Sequence, residues 1–220
     1  MTIIQSCILL GAGGHARVLI DCANQMNDIR IEGILDPRPA LLGQVLDGIP
    51  ILGDDDLLSQ MRGRKVEYFI VGLGGTGDNR PRKRLFEKAL GHGLKPIQIR
   101  HSSANISPQA AFKEGCQLLP GCIINSGSYL GANVIINSGA IVEHDCKIGD
   151  HAHVATGALL ASTVTLGEGV HIGIGAAIRQ QITIGDYSVV GAGAVVVKDV
   201  PPGVVVIGVP ARECKKSTYL

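Results

Sequence analysis

The sequence predicts an N-terminal α/β domain of the half-Rossmann kind, followed by an all-β domain built as a parallel β-helix. Two patterns and the composition support this fold class. The chain opens with a strand, a glycine-rich turn and a helix, and its C-terminal half carries large apolar residues at every sixth position. With 30 glycines among 220 residues and only 3% aromatic residues, the composition suits layers of aliphatic side chains joined by tight corners. We divide the chain into domains of residues 1–100 and 101–220.

The first domain begins with an apolar strand over residues 3–10. The turn Gly11-Ala12-Gly13-Gly14-His15-Ala16 follows and leads into a helix that ends near residue 26. A second strand, residues 31–35, ends at Asp36. Glycines at such a turn let backbone N–H groups approach a phosphate at the helix N-terminus, and an acid after the next strand can bind a ribose hydroxyl. The pattern predicts a nucleotide site, with a tight turn that binds no ligand as the alternative.

This domain continues with a helix over residues 54–61, a strand over residues 66–71, the turn Gly72-Leu73-Gly74-Gly75 and a helix over residues 80–90. Together these elements make half of a doubly wound sheet. Half of that fold supports one nucleotide more readily than a dinucleotide. We therefore expect a nucleoside diphosphate attached to a sugar rather than NAD.

The second domain is predicted from its repeat. Steps of six residues from Ile106 to Val196 meet a large apolar residue at all sixteen stops, and small or β-branched residues occupy nearly every position four residues later. A six-residue repeat with one large and one small inward residue is typical of one face and corner of a triangular parallel β-helix. Three such repeats make one coil of eighteen residues. An amphipathic helix would need a period of 3.6, and a hairpin sheet would need alternation broken by short turns.

Charge and cysteine content argue against several classes of partner. The net charge is +1 and runs of Lys or Arg are short, so we expect a small-molecule ligand rather than nucleic acid or an anionic membrane surface. The opening strand lacks the basic lead of a signal peptide, so we expect a cytoplasmic protein without membrane insertion. The six cysteines include no Cys-x-x-Cys pair, and no group of side chains has metal-ligand spacing, so no metal is expected.

Three stretches of the sequence resemble a known family: residues 11–16, residues 77–80 (Gly-Asp-Asn-Arg), and residues 137–146 followed by 148–154. With the repeat, they resemble the sugar O-acyltransferase and sialic acid O-acetyltransferase family of hexapeptide-repeat proteins. Within it they are most similar to nucleotide-sugar N-acetyltransferases of the bacillosamine and perosamine type. The resemblance covers nearly the whole chain. It implies left-handed coils, acetyl-CoA as co-substrate, and a homotrimer whose active sites lie between the walls of neighbouring chains.

The resemblance assigns the chemistry to His144 as general base and to Asp145, which holds its ring in one tautomer. Glu143 is the alternative acid. In the six-residue register His144 faces outward, where a substrate can reach it, and a positioned base can take a proton from the attacking group during acyl transfer. His151 and His171 also fall on outward positions but match no motif, and the role of His151 stays open.

Two binding sites are also implied by the resemblance. The nucleotide sugar is expected on the glycine turns and on the acid after the second strand: Gly13, Gly14, His15, Asp36, Gly72 and Gly74. Acetyl-CoA is expected to contact His153 and the backbone of Ile174 and Ala192. Some relatives have a second acid after the first, where this chain has Pro37, so the recognised base is left open.

The activity implied by the resemblance is acetyl-CoA-dependent N-acetylation of a UDP- or GDP-linked 4-amino sugar, for surface-polysaccharide or glycan biosynthesis. O-acetylation of sialic acid or another sugar hydroxyl is one alternative. A non-catalytic β-helix scaffold is the other, because a repeat of this kind can be purely structural. The residues leave open which nucleotide and sugar are used and which pathway the product enters.

Overall fold

The computed structural model describes residues 4–214, which divide into two compact units. The first, called the α/β unit here, contains the chain up to Gly74 together with Arg84–Ser102. The second, called the β-helix unit, contains Gly75–Lys83 and the chain from Ser103 onward. The segment Gly75–Lys83 therefore packs with the β-helix, although elements of the α/β unit flank it in the sequence.

The first part of the chain forms strands and helices in alternation. They are β1 (Gln5–Leu10), α1 (Gly14–Asn24), β2 (Ile29–Leu35), β3 (Val45–Leu46), β4 (Ile49–Gly53), α2 (Leu58–Met61), β5 (Tyr68–Val71), α3 (Arg80–Gly91), β6 (Lys95–Pro96) and β7 (Ile99–Arg100). One sheet has the order β3-β4-β2-β1-β5-β6, with parallel neighbours except for the antiparallel pair β3 and β4. The predicted strands and helices occur with ends shifted by a few residues. The β3–β4 hairpin was not predicted, because β3 is only two residues long.

The central strand of this sheet explains the apolar opening of the chain. β1 pairs with β2 on one side and with β5 on the other, and its residues from Cys7 to Leu10 are fully buried. A parallel strand covered on both faces needs a continuous apolar run rather than alternation. Ile34 and Leu35 of β2 extend the same core, and α1 contributes Leu19 to it.

The β-helix unit contains sixteen two-residue strands in regular succession. They are β8 (Asn105–Ile106), β9 (Ala111–Phe112), β10 (Gln117–Leu118), β11 (Ile123–Ile124), β12 (Tyr129–Leu130), β13 (Ile135–Ile136), β14 (Ile141–Val142), β15 (Lys147–Ile148), β16 (His153–Val154), β17 (Leu159–Leu160), β18 (Thr165–Leu166), β19 (His171–Ile172), β20 (Ala177–Ile178), β21 (Thr183–Ile184), β22 (Val189–Val190) and β23 (Val195–Val196). β24 (Val205–Ile207) and β25 (Arg212–Glu213) close the array with an antiparallel pair.

Three parallel walls make up this array. The first wall holds β10, β13, β16, β19, β22 and β24, the second holds β8, β11, β14, β17, β20 and β23, and the third holds β9, β12, β15, β18 and β21. Among β8 to β23, paired residues are eighteen positions apart, as Leu118 and Ile136 are, so a coil is three six-residue steps. In the last coil Val190 pairs with Val206, sixteen positions later. The predicted fold class, an α/β domain followed by a β-helix of six-residue repeats, is confirmed.

The inward columns form the core of the β-helix. The second residue of nearly every strand is buried, and the small column contributes three cysteines, Cys116, Cys122 and Cys146. Burial raises the pKa of the Cys116 thiol to about 12, so this side chain packs as a small apolar group. Where the small column holds Ser128 instead, its hydroxyl donates to the Glu143 carbonyl at 2.7 Å. Across residues 4–214, no helix has both the length and the apolar character to span a membrane.

Candidate active site

His144 and Asp145 lie at a corner between the second and third walls, just after β14. Nδ1 of His144 and Oδ2 of Asp145 are 2.8 Å apart, and the two side chains are 56% and 61% exposed. Since a carboxylate only accepts hydrogen bonds, Nδ1 carries the proton and the Nε2 lone pair is left available. Such a ring can take a proton from a substrate that approaches the corner.

Glu143, the other acid beside His144, is placed differently. Its Oε2 accepts a long hydrogen bond of 3.4 Å from the backbone N–H of His144 and does not reach the imidazole nitrogens. Of the two acids considered from the sequence, Asp145 is therefore the one that contacts the ring.

A cavity of about 560 Å³ lies between residues 75–77 and the first wall of the β-helix, within the β-helix unit. Its size suits a small-molecule ligand. The three residues expected to contact acetyl-CoA all line it, namely His153, Ile174 and Ala192. His144 is not among its lining residues.

The ring of His153 is held on both sides. Its Nδ1 is 3.0 Å from the carbonyl oxygen of Gly75, and its Nε2 is 3.1 Å from Nδ2 of Asn137. Because a carbonyl accepts only, Nδ1 donates, and Nε2 accepts from the amide of Asn137. His153 therefore presents a fixed ring to the cavity.

His171 lies one coil further along the same wall and also lines the cavity. Its ring meets the His153 ring edge to face, with centroids 5.0 Å apart. The residue is buried, with only 9% of its surface exposed. Among the described residues, no hydrogen-bond partner exists for its enclosed Nδ1. Burial lowers the pKa of His171 to about 4, so the ring is neutral near pH 7.

Backbone donors border this cavity at the corners that follow the first wall. Within the described chain, no hydrogen bond engages the N–H groups of Thr156, Ile174 and Ala192, all of which line the cavity. Successive residues in this column belong to neighbouring coils, so the donors are spaced by about 4.8 Å. Such a row can bind the carbonyl groups of an extended ligand.

The segment Gly75–Lys83 is held against the β-helix by buried polar contacts. Nδ2 of Asn79 donates to the carbonyl oxygens of Gly169 and Val170, at 3.1 and 3.2 Å. Gly75 has no room for a side chain, because a Cβ there would lie well inside 3.0 Å of Asn79 Oδ1. The Gly-Asp-Asn-Arg stretch that carried part of the resemblance thus anchors one side of the cavity.

Arg82 continues this anchoring in the same segment. Its guanidinium is buried and donates to Oδ1 of Asn133 at 2.5 Å, and burial lowers the pKa of Arg82 to about 9. The Nδ2 atom of Asn133 lies 2.9 Å from Nδ1 of His151. His151 is therefore part of a buried polar chain and does not line the cavity.

The glycine turn of the α/β unit lies between β1 and α1. Gly13 precedes the helix, and Gly14 and His15 are its first two residues. The second glycine turn lies beside the first, because a Cβ on Gly72 would be 2.8 Å from the Gly11 carbonyl oxygen, and one on Gly74 would be 3.3 Å from the His15 Cβ. The predicted substrate-binding residues on both turns are thus brought to one edge of the sheet, at the carboxyl ends of its strands.

Asp36 follows β2 and contacts the first glycine turn. Its Oδ2 accepts from the Ala12 N–H at 2.7 Å and from Arg38 Nη2 at 2.8 Å, while Oδ1 accepts from the Arg38 N–H and Nε. The Arg38 guanidinium lowers the pKa of Asp36 to about 2. Each carboxylate oxygen therefore already accepts two hydrogen bonds. The assignment of Asp36 to a ribose hydroxyl stays a prediction.

Comparisons with known proteins identify the family of the chain. Residues 6–89 match the family described as PglD N-terminal domain, and residues 127–162 and 163–198 match bacterial transferase hexapeptide (six repeats). The chain is similar to PerB from Caulobacter crescentus, solved in complex with CoA and GDP-perosamine. The two are 37% identical, with a TM-score of 0.89 over 96% of this chain and 97% of that chain. The chain belongs to the PglD-type hexapeptide-repeat N-acetyltransferase family.

Two further relatives of this N-acetyltransferase family are similar to the chain. The acetyltransferase domain of PglB from Neisseria gonorrhoeae is 33% identical, with a TM-score of 0.86 over 96% of this chain and all of that chain. The GDP-perosamine N-acetyltransferase of Escherichia coli O157:H7 is 31% identical over 149 residues, which are 65% of this chain and 64% of that protein. The family resemblance stated from the sequence is confirmed.

Two residues that contact predicted site residues, Arg38 and His171, were not themselves predicted from the sequence. A basic residue two positions after the acid was a usable signal for Arg38, which contacts Asp36. His171 was missed because outward positions of a β-helix are usually exposed, and nothing in the repeat shows that residues 75–83 cover this wall. Within residues 4–214, no cluster of three or more His, Cys, Asp or Glu side chains could hold a metal ion.

Proposed function

We propose that this chain transfers the acetyl group of acetyl-CoA to the amino group of a nucleotide-linked amino-deoxy sugar. The observation that supports the proposal is the His144–Asp145 pair in a chain of this N-acetyltransferase family. The Nδ1–H of His144 donates to Asp145 Oδ2 at 2.8 Å. PerB, which aligns over nearly the whole chain, was solved with CoA and GDP-perosamine. A GDP- or UDP-linked 4-amino sugar is therefore the proposed acceptor.

His144 is proposed to act as the general base. Its Nε2 takes the proton of the amine while the amine nitrogen forms a bond to the thioester carbonyl carbon. The carbon–sulfur bond then breaks and CoA leaves as the thiolate. Asp145 keeps the Nδ1 proton in place, so the ring accepts at Nε2 alone.

The cavity on the first wall is proposed to hold the pantetheine arm of acetyl-CoA. Its lining is mainly apolar, with the His153 and His171 rings at one side and the backbone donors of Thr156, Ile174 and Ala192 at the corners. The amide carbonyl groups of pantetheine are suitable acceptors for donors spaced by one coil.

The α/β unit is proposed to bind the nucleotide. Gly13 precedes α1 and provides no side-chain cap, so the N-terminus of this eleven-residue helix is suited to an anion. Asp36 holds the Ala12 N–H and aligns the Arg38 guanidinium, which is 57% exposed and can face a diphosphate. The substrate contacts proposed for Gly14, His15, Gly72 and Gly74 lie at the same edge.

A homotrimer is proposed as the working assembly. The outward residues of the second wall form an apolar stripe at the surface: Ile123, Ile141, Leu159, Ala177 and Val195. Exposed apolar stripes of this kind suit contact with another copy. His144 lies at the corner after the second wall, whereas the corners that border the cavity lie before that wall, between it and the first wall. One chain therefore does not bring the base to its own cavity. In a trimer, His144 of one chain can serve the cavity of its neighbour.

We place the protein in the cytoplasm. The six cysteines all lie within the described residues and form no disulfide, and five are buried. Reduced thiols are typical of a reducing compartment. This location also fits a protein that draws on acetyl-CoA.

The test is a measurement of CoA release with GDP- and UDP-linked 4-amino sugars, the matching 4-hydroxy sugars and free sialic acid. Acetylation of an amino-sugar nucleotide alone supports the proposal. Transfer to sialic acid or to a hydroxy sugar instead would establish the O-acetyltransferase alternative. If none of these acceptors raises CoA release above background, the scaffold alternative is favoured. Light scattering of the purified chain should give three copies per particle.

A further inference from the structure

Gly127 lies directly under the carboxylate that contacts His144. The two residues occupy the same corner in successive coils, eighteen positions apart. A Cβ built on Gly127 would lie well inside 3.0 Å of Asp145 Oδ1 and 3.3 Å from its Cγ. The other carboxylate oxygen, Oδ2, accepts from His144 Nδ1 at 2.8 Å. The glycine and the imidazole therefore contact the two oxygens of one carboxylate.

The backbone at this corner cannot absorb a change. The Asp145 N–H donates to the Ser126 carbonyl at 3.0 Å, and the flanking strands pair in the parallel ladder on both sides. Asp145 itself adopts a left-handed φ of 59°. Only rotation of the Asp145 side chain can make room for an atom added at Gly127.

Left-handed backbone alone does not require glycine at position 127. Its φ is 74°, but non-glycine residues occupy the same corner in the next three coils: Asp145, Thr163 with φ of 57° and Gln181 with φ of 63°. These residues carry the strain that a side chain brings to this conformation. What distinguishes Gly127 among them is the Asp145 carboxylate above it.

We propose that Gly127 is a positioning residue, whose missing side chain lets the Asp145 carboxylate lie against the imidazole of His144. The inference rests on the proposed role of His144 as general base. In Gly127→Ala, Oδ1 must retreat to at least 3.0 Å from the new Cβ, and the rotation that moves it also draws Oδ2 away from Nδ1. The His144 ring then loses its fixed tautomer.

The variant has a matched control in the chain. Gly121 also has a left-handed φ, 67°, but a Cβ there would meet nothing nearer than the Gly139 N at 4.0 Å. Gly127→Ala and Gly121→Ala therefore impose the same backbone strain and should lower the melting temperature alike. Only Gly127→Ala should lower kcat, by about tenfold to 100-fold, with the KM of both substrates within about twofold.

A double-mutant cycle tests the mechanism. In an Asp145→Ala background there is no carboxylate to displace, so Gly127→Ala should leave the residual kcat unchanged. Nitrogen-15 spectra of His144 should show one tautomer in the wild type and in Gly121→Ala, and a mixture in Gly127→Ala. Gly127→Asn, which carries a Cβ but tolerates the left-handed region, should reproduce the loss if the alanine variant folds poorly.

The outcomes separate this inference from the proposed function. If His144→Ala keeps the wild-type kcat, the base assignment fails and this inference with it. If His144→Ala and Asp145→Ala impair turnover while Gly127→Ala and Gly127→Asn behave like Gly121→Ala, only the role of Gly127 is overturned. An equal loss from Gly127→Ala with and without the Asp145 carboxylate would also overturn it.

Discussion

The rings of His153 and His171 meet edge to face, 5.0 Å apart, on the wall that borders the cavity. The two rings differ in their hydrogen bonding. Both nitrogens of His153 have partners in the Gly75 carbonyl and the Asn137 amide, whereas Nδ1 of His171 is enclosed with none in the described chain. A buried polar atom without a partner costs stability, so His171 is a position where function and stability can oppose each other.

His171→Phe should keep the ring contact while it removes the unpaired nitrogen. We expect a melting temperature equal to or above that of the wild type. The CoA dissociation constant should rise by about tenfold, because an apolar ring replaces a polar one in the lining of the cavity proposed to hold CoA. Differential scanning calorimetry and titration calorimetry with CoA measure both. His153→Phe is the comparison, and should melt earlier because it leaves the Gly75 carbonyl and Asn137 unpaired. A His171→Phe protein that melts earlier and binds CoA normally would contradict the prediction.

Stability should fall in mild acid because of His171. Its pKa is about 4 in the folded chain against an ordinary 6.5, so between these pH values the unfolded chain binds a proton that the folded chain excludes. The contribution of the neutral His171 ring to the free energy of unfolding should therefore be complete above pH 6.5. The free energy of unfolding should decrease by up to roughly 3 kcal/mol as the pH falls from 6.5 to 4. Urea titrations across this range measure the slope. His171→Phe should show a shallower slope, and identical slopes would be evidence against a buried neutral ring.

His144→Ala should lower kcat by about 10²- to 10⁴-fold, the usual contribution of a positioned base. The affinity for acetyl-CoA should change little, because the contacts proposed for the pantetheine arm come from His153, His171 and the backbone donors of the cavity. Asp145→Asn should cost less, because the base itself remains. Steady-state kinetics across pH provide the measurement, with His92→Ala as a matched variant at a histidine outside both proposed sites. Wild-type kcat in His144→Ala would point to catalysis by proximity alone.

Asp36→Ala should weaken nucleotide-sugar binding by at least about tenfold. The change frees the Ala12 N–H and the Arg38 guanidinium, which the carboxylate now holds with four hydrogen bonds. CoA binding should be unaffected, because every residue lining the cavity belongs to the β-helix unit. Titration calorimetry with both ligands tests this, and Asp21→Ala, at an exposed acid on α1, is the control. Binding of NAD in place of any sugar nucleotide would contradict the assignment.

The sequence by itself determined the β-helix, the strand–turn–helix of the α/β unit and the corner on which His144 stands. The reason is that strands of the β-helix pair at a spacing of eighteen residues through all but the last coil, so the contacts that stabilise it repeat along the chain and can be counted. A glycine turn is equally local, because its residues meet within a few positions of one another.

Only the tertiary structure decided what surrounds those residues. Asn79 bonds to Gly169 and Val170, about ninety positions away, and this packing converts an outward wall into the buried side of a cavity. The enclosure of His171 has the same origin. Contacts between distant segments depend on the shape of the folded surface and not on any period, so they leave no pattern in a single sequence.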